Sequence, residues 1–302
     1  MDTLTLQVMN TEFYISLSSN SNTRWKDHVT NWLQTIEKQW SRFDDNNELS
    51  KINKLRIGDT LTISEDLYDC LYKAHCYYRL TDGLFSPYLK KQIESHGYQK
   101  SFPFQKVDKT SEKFEKPLLN PIIFLPNKRI LKITNEEIDL GGFAKGYIVE
   151  KVANWLKYNI SQEFGIVDGG GDMKLWSNCE KEWIIGISDP FKEDEEITSI
   201  KIKNGAIATS NRVYRSWQMN GKQKHHLLNG QTGEIAISPI VQATVVTNSL
   251  SDAEVAVKLC FLQNNLEHQH WLEKHHILSA RFIISENEQP VWITPRGKTY
   301  VH

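Results

Sequence analysis

Strand-like segments that follow one another in runs and hairpins, interrupted by a few amphipathic helices, predict an α+β fold for this chain. Regular strand–helix–strand alternation, which would predict a doubly wound parallel sheet, does not occur, and no internal repeat is visible. With 302 residues the chain can bury a large core as a single elaborate domain, residues 1–302, made of two joined halves. Lys and Arg number 36 against 37 acids, for a formal charge of −1, so electrostatics favours neither nucleic acid nor an anionic membrane as partner. A hydrophobic content of 39% with 11% aromatic residues fits a folded globule.

Residues Leu4 to Ile15 alternate as a first strand, and Asn22 or Thr23 is placed to cap the helix that follows. Trp25, Val29, Trp32, Leu33, Ile36 and Trp40 recur at three- and four-residue steps, the apolar face of an amphipathic helix that the polar WSRFDDNNELSKIN ends. A second helix from Ser64 buries Leu67, Leu71, Ala74 and Tyr78 and stops at TDGLFSPY, where Gly83 supplies the turn. From Gly97 to Pro117 the sequence is lysine-rich and aperiodic, which reads as a surface excursion. IIFLPNKRILKI is a hairpin turning at PNKR. After IDLGGFAKGY, the residues Ile148, Val152, Trp155 and Asn159 mark a helix beginning near Phe143.

FGIVD and WIIGISDP are further strands, polar turns follow IKIKNGAIATS, another strand enters HHLL, and one helix carries Asp252 in its first turn. The last helix, Leu266 to His276, holds His268, His270, His275 and His276 without the four-residue spacing that sets two metal ligands on one face, so it reads as solvated. Cys70, Cys76, Cys179 and Cys260 form no Cys-x-x-Cys pair and suit a reducing compartment. MDTLTLQVMNTEFYI lacks the basic start and apolar run of a leader, and no stretch reaches membrane-span length. A cytoplasmic protein without membrane insertion is the expectation.

The chemistry concentrates in IDLGGFAKGY. Gly141 and Gly142 let a ligand or another backbone approach closely, and a helix start beyond them offers free N–H groups to an anion. Neither a dinucleotide fingerprint nor a Walker loop fits the glycine spacing. Lys145 sits near a helix start, where a cation is mildly unfavourable, and this points to use in binding an anion. Asp139 and Asp172 can accept hydrogen bonds from a ligand or from loop amides. Ser249 or Ser251 can cap the helix of Asp252, with Glu254 completing a capping box from Ser251.

These segments, together with GIVDGGGDMKLW, ATSNRVYRSW, HHLLNGQTGE and TNSLSDAEVAVKLCFL, resemble in order and spacing the ApbE family, the FAD:protein FMN transferases. WSRFDDNNELSKIN and TDGLFSPY extend the resemblance more loosely. It implies an ApbE-like, T-fold-related architecture of mixed and antiparallel sheets with packed helices. It implies FAD as substrate and Mg2+ held by Asp252, by the Gly142 carbonyl and by a threonine one helical turn after the aspartate, where this chain has Ala256.

Met9, Phe43, Leu84, Phe85, Ser86, Asp139, Lys145, Asp172, Thr209 and His226 match cofactor-contacting positions. Ser86 stands for an aspartate, Asp168 for an asparagine, Asn211 for a glycine in a turn needing positive φ, and Asn229-Gly230 for Asp-Pro. In the reaction so implied, a threonine hydroxyl of an acceptor flavoprotein attacks the FMN-side phosphorus and AMP leaves. Asp252, Lys145 and His226 are the catalytic candidates, with Asp139 or His226 as possible base. An FAD pyrophosphatase giving FMN and AMP, and a noncatalytic FAD-binding homologue with a weakened metal site, are the alternatives.

Overall fold

The computed structural model describes residues 1–18, 24–104, 106–107, 120–160, 162–178, 180–192 and 194–301. The expected cap at Asn22 or Thr23, and Cys179, lie outside the described residues. The described helices are α1 (Arg24–Trp40), α2 (Glu48–Asn53), α3 (Glu65–Leu80), α4 (Lys90–Ser95), α5 (Ala144–Asn159), α6 (Leu250–Leu262) and α7 (Asn265–Lys274). The chain divides into two compact units, one of Met1–Gln34, Lys145–Tyr214 and Ser238–His302, the other of Thr35–Ala144 and Arg215–Ile237. Among the described residues no helix is long and apolar enough to cross a membrane.

The first unit is built on a nine-stranded sheet in the order Asp2–Val8, Thr11–Leu17, Phe164–Gly169, Met173–Ser177, Gly205–Asn211, Ile240–Thr247, Ala280–Ser285, Val291–Ile293 and Thr299–Val301. Every pairing in it is antiparallel, which agrees with the α+β expectation. The expected single strand from Leu4 to Ile15 is instead a hairpin, in which Met9 and Asn10 turn at φ 55° and 57° and Val8 pairs with Thr11. Two left-handed residues match the twist of the flanking strands. With no glycine there, the turn left the alternation unbroken.

Helix α6 lies on the strands Gly205–Asn211 and Ile240–Thr247 and buries Leu250, Ala253, Val255, Ala256, Val257, Leu259 and Phe261. Each large apolar side chain so buried stabilises by about 1.5–3 kcal/mol relative to exposure. The reading of α7 as a solvated face needs correction. His270 and His276 are exposed, but His268 is buried, its Nδ1 3.0 Å from an Arg281 nitrogen and 3.5 Å from Cys260 Sγ. Burial drives its basicity down to about 3, and Arg281 adds to the shift, so His268 is a neutral core residue.

The second unit carries two three-stranded sheets. In one, Thr60–Thr62 pairs with Arg129–Lys132 and that strand with Ile122–Leu125, the expected hairpin, whose turn places Asn127 and Lys128 at φ 61° and 56°. In the other, Lys222–His225 pairs antiparallel with Ser216–Met219, which runs parallel to Lys106–Val107. Ser64 Oγ accepts from Leu67 N–H to start α3, and Gly83, at φ 84°, closes it by donating to Tyr78 O at 2.8 Å. Tyr77 rather than Tyr78 is the buried tyrosine of that helix. Of the 97–117 stretch, Tyr98, Phe104 and Val107 pack on Ile93, Trp217 and Met219, while residues 105 and 108–117 lie outside the described residues.

Candidate active site

In the first unit two of the charged residues that sequence singled out, Lys145 and Asp172, meet at the second residue of α5. The Lys145 ammonium bonds Asp172 Oδ2, and Asp172 is buried behind Gly170 and Gly171, at φ 72° and 95°. Asp168 holds the glycine turn itself, its Oδ1 accepting from Gly171 N–H at 2.7 Å. Asp172 is thereby free of capping its own turn and serves Lys145.

Beside this pair lies Glu254, which sequence reasoning had assigned to a capping box. Its Oε1 takes a bond from Lys258 Nζ at 3.0 Å and its Oε2 is buried with no hydrogen-bond partner. A Cβ at position 146 would meet that oxygen at 2.5 Å, so a side chain there would displace the Glu254 carboxylate. Burial pushes the Glu254 carboxyl up to about 7, the charge of Asp172 acts in the same direction, and Lys258 and Lys145 oppose them.

The start of α6 is capped from a distance. Ser249 is the N-cap residue but makes no side-chain cap bond. Glu150 of α5 accepts from Leu250 N–H at 3.0 Å, Ser251 N–H at 3.4 Å and Ser251 Oγ at 3.0 Å. A carboxylate at a helix N-terminus satisfies both its orphan donors and its dipole. The Ser251–Glu254 capping box therefore does not form, because Ser251 already lies inside the helix. Asp252 stays half-buried in the first turn, with those two first-turn amides taken by Glu150. Ala256, one turn on, is fully buried. Thr209 Oγ1 is 2.9 Å from Thr244 Oγ1, on neighbouring strands.

In the second unit the Gly-Gly bend is shaped by Asp139. Its Oδ1 accepts from Gly141 N–H at 2.7 Å, its Oδ2 is 3.1 Å from an Arg42 nitrogen, and its own N–H donates to Pro87 O at 2.8 Å. Phe143 is buried against Tyr77 and Phe85, at 5.7 Å from each ring. Phe85 thus points into the core, and its N–H is taken by Thr81 Oγ1 at 3.1 Å. Leu84 gives its carbonyl to Gly230 N–H, and Ser86 Oγ accepts from Tyr88 N–H. Phe43 is 43% exposed beside Arg42, a ring surface open to a ligand. His225 is buried, whereas His226 is half-buried, with Nδ1 3.4 Å from Arg215 O.

The ApbE family model matches residues 9–282. The chain belongs to the ApbE family. It is 27% identical over 278 residues to the FAD:protein FMN transferase of Chlamydia pneumoniae, covering 87% of this chain and 84% of that one. The crystal structure of the ApbE protein from Thermotoga maritima superposes with a TM-score of 0.79 at 21% identity, over 99% of this chain and 96% of that one. The flavin transferase ApbE from Vibrio cholerae gives 0.78 at 18% identity, over 99% and 96%.

For this ApbE-family chain the departures in motif have local explanations. Asn229 Oδ1 accepts from Gln231 and Thr232 N–H at 2.9 and 3.2 Å, the bonds an aspartate would make at this turn. Gly230 has no side chain because a Cβ there would clash with the Gly83 carbonyl. Asn211 does not supply the expected positive φ: it closes the strand Gly205–Asn211 and its Oδ1 accepts from Val213 and Tyr214 N–H.

Among the described residues no group of three or more His, Cys, Asp or Glu is arranged to hold a metal. A single half-exposed carboxylate suits Mg2+, which keeps several waters and takes one or two protein oxygens. Sequence reasoning missed Glu150, Glu254 and Arg42. Glu254 carried a signal, a charge among Ala253, Val255, Ala256 and Val257, all buried.

Proposed function

We propose that this chain transfers FMN from FAD to a threonine hydroxyl of an acceptor flavoprotein and releases AMP. Membership of the ApbE family supports this reading. The observation in the molecule that carries it is the Lys145–Asp172 pair, a cation held by a buried carboxylate beside a glycine turn that a different aspartate shapes. A diphosphate is recognised by such an ammonium, which can exchange its carboxylate for phosphoryl oxygens. In the transfer, the threonine oxygen forms a bond to the FMN-side phosphorus and the phosphoanhydride bond to AMP breaks. The hydroxyl proton goes to a base, and the leaving AMP oxygen takes the electron pair.

Asp139 has both oxygens engaged, so His226 is the better base of the two. Bound Mg2+ supplies charge neutralisation on the phosphoryl oxygens, and Asp252 would hold it, with the Gly142 carbonyl as backbone donor and water where Ala256 offers no oxygen. Met9, Phe43, Leu84 and Ser86 are assigned to flavin contact, and Thr209 and Asp172 to the polar part of the ligand.

Incubating the chain with FAD, Mg2+ and a threonine-bearing acceptor domain, then separating the products by chromatography, tests this. Flavin comigrating with the acceptor, together with AMP, is the expected result. Free FMN plus AMP would make the chain a pyrophosphatase, and unchanged FAD a noncatalytic binder, the outcome that the buried Ala256 would then explain.

A further inference from the structure

Arg42 lies where three parts of the second unit meet. Its guanidinium stands 4.6 Å from the Phe43 ring centre and 4.3 Å from that of Tyr98, and those rings are 6.1 Å apart. Its side chain is only 7% exposed, and one nitrogen is 3.1 Å from Asp139 Oδ2. A cation so far out of water needs both a counter-charge and aromatic faces around it, and here it has both. The Asp139 carboxylate that pairs with it spends its other oxygen on Gly141 N–H. One planar, multi-donor group therefore joins the exposed Phe43 ring to the Gly-Gly bend.

Resting on the proposed transferase reading, we propose that Arg42 is a positioning residue of the flavin site. It fixes the Phe43 ring as a flat surface for the isoalloxazine and, through Asp139, sets the bend at Gly141. The guanidinium covers one side of the ring, and the 43% of Phe43 left exposed is what a planar ligand can stack on. Lysine would retain charge but neither the planar stack nor the fixed fork toward Asp139.

The test uses the full chain with Arg42→Met, Arg42→Lys and, as a partner variant, Phe43→Leu. FAD binding is read by quenching of flavin fluorescence in the presence of a chelator, so that binding is separated from turnover. KM and kcat are then measured with Mg2+ and acceptor, and folding is followed by circular dichroism. Arg42→Met is expected to weaken FAD binding about tenfold or more, and Arg42→Lys about three- to tenfold. Both should show shallower quenching at saturation and a KM that rises more than kcat falls. Phe43→Leu should lose the same quenching, and adding Arg42→Lys to it should cost little more.

Wild-type affinity and quenching in folded Arg42→Lys would overturn the inference, as would losses that merely track the folded fraction. Should Arg42→Met fail to fold, Arg42→Lys alone decides. If the wild-type chain itself neither binds FAD nor transfers FMN, the transferase reading fails first, and that result is visible before any variant is made.

Discussion

Two glycine turns in this molecule use the same device for different ends. In each, an aspartate Oδ1 accepts a glycine N–H at 2.7 Å, Asp139 from Gly141 in one unit and Asp168 from Gly171 in the other. At the first turn the same carboxylate also holds the cation, Arg42. At the second the tasks are divided: Asp168 shapes the backbone, and Asp172 holds Lys145. A divided arrangement lets the ion pair open toward a ligand while the turn keeps its form. A shared one locks cation and turn together. On the proposed reading, the difference separates a cation that would act on substrate, Lys145, from one that would support a surface, Arg42.

The largest expected effect is at Lys145. Lys145→Met retains the aliphatic stem and removes the charge, and transfer should fall at least about 100-fold in kcat while the fold persists. Steady-state assays with a circular-dichroism melt check this, and a wild-type kcat would break the comparison at its first step.

Paired substitutions at the two cation-holding aspartates sharpen it. Asp172→Asn leaves Lys145 unguided and should lower kcat about tenfold with little change in stability. Asp139→Asn keeps the bond to Gly141 but deprives a nearly buried guanidinium of its counter-charge, costing about 1.5–3 kcal/mol in urea denaturation. If the costs fall the other way round, the two turns do not differ as described.

The smallest effect is expected at Asp168. Burial raises its carboxyl above the usual 3.8, against the Gly171 N–H and Lys145, which lower it. The folded chain therefore holds this proton more tightly than the unfolded chain. The group's contribution to stability is complete below the unfolded value and is lost as pH rises through the folded one. Asp168→Asn preserves the acceptor and removes that loss, so it should be more stable than wild type near about pH 7 and equal to it near about pH 3. Thermal unfolding across that range measures the sign.

Much of the scaffold was readable in the sequence. Trp25, Val29, Leu33, Ile36 and Trp40 are buried as their spacing predicted, whereas Trp32, assigned to the same face, is only half-buried; the PNKR hairpin and the Gly83 stop lie where turn chemistry put them. Lys145 and Asp172, singled out by motif, form an ion pair, and Asp252 lies in the first turn of its helix as the pattern placed it. What sequence concealed were bonds between distant segments. Glu150 caps α6 across 100 residues, displacing a local capping box that the pattern favoured. Arg42 finds Asp139 97 residues away, and His268 becomes a core residue only because Arg281 and Cys260 arrive from other elements. Local periodicity records which face is buried; it carries no record of which partner will meet a polar side chain there.

The most direct test of the central claim is the intact mass of an acceptor domain after incubation with FAD, Mg2+ and either wild-type chain or Asp252→Ala. The account predicts an acceptor heavier by one FMN with wild type and an unmodified acceptor with the variant. An unmodified acceptor in both reactions would contradict the transferase assignment, and equal modification by both would remove Asp252 from the metal site.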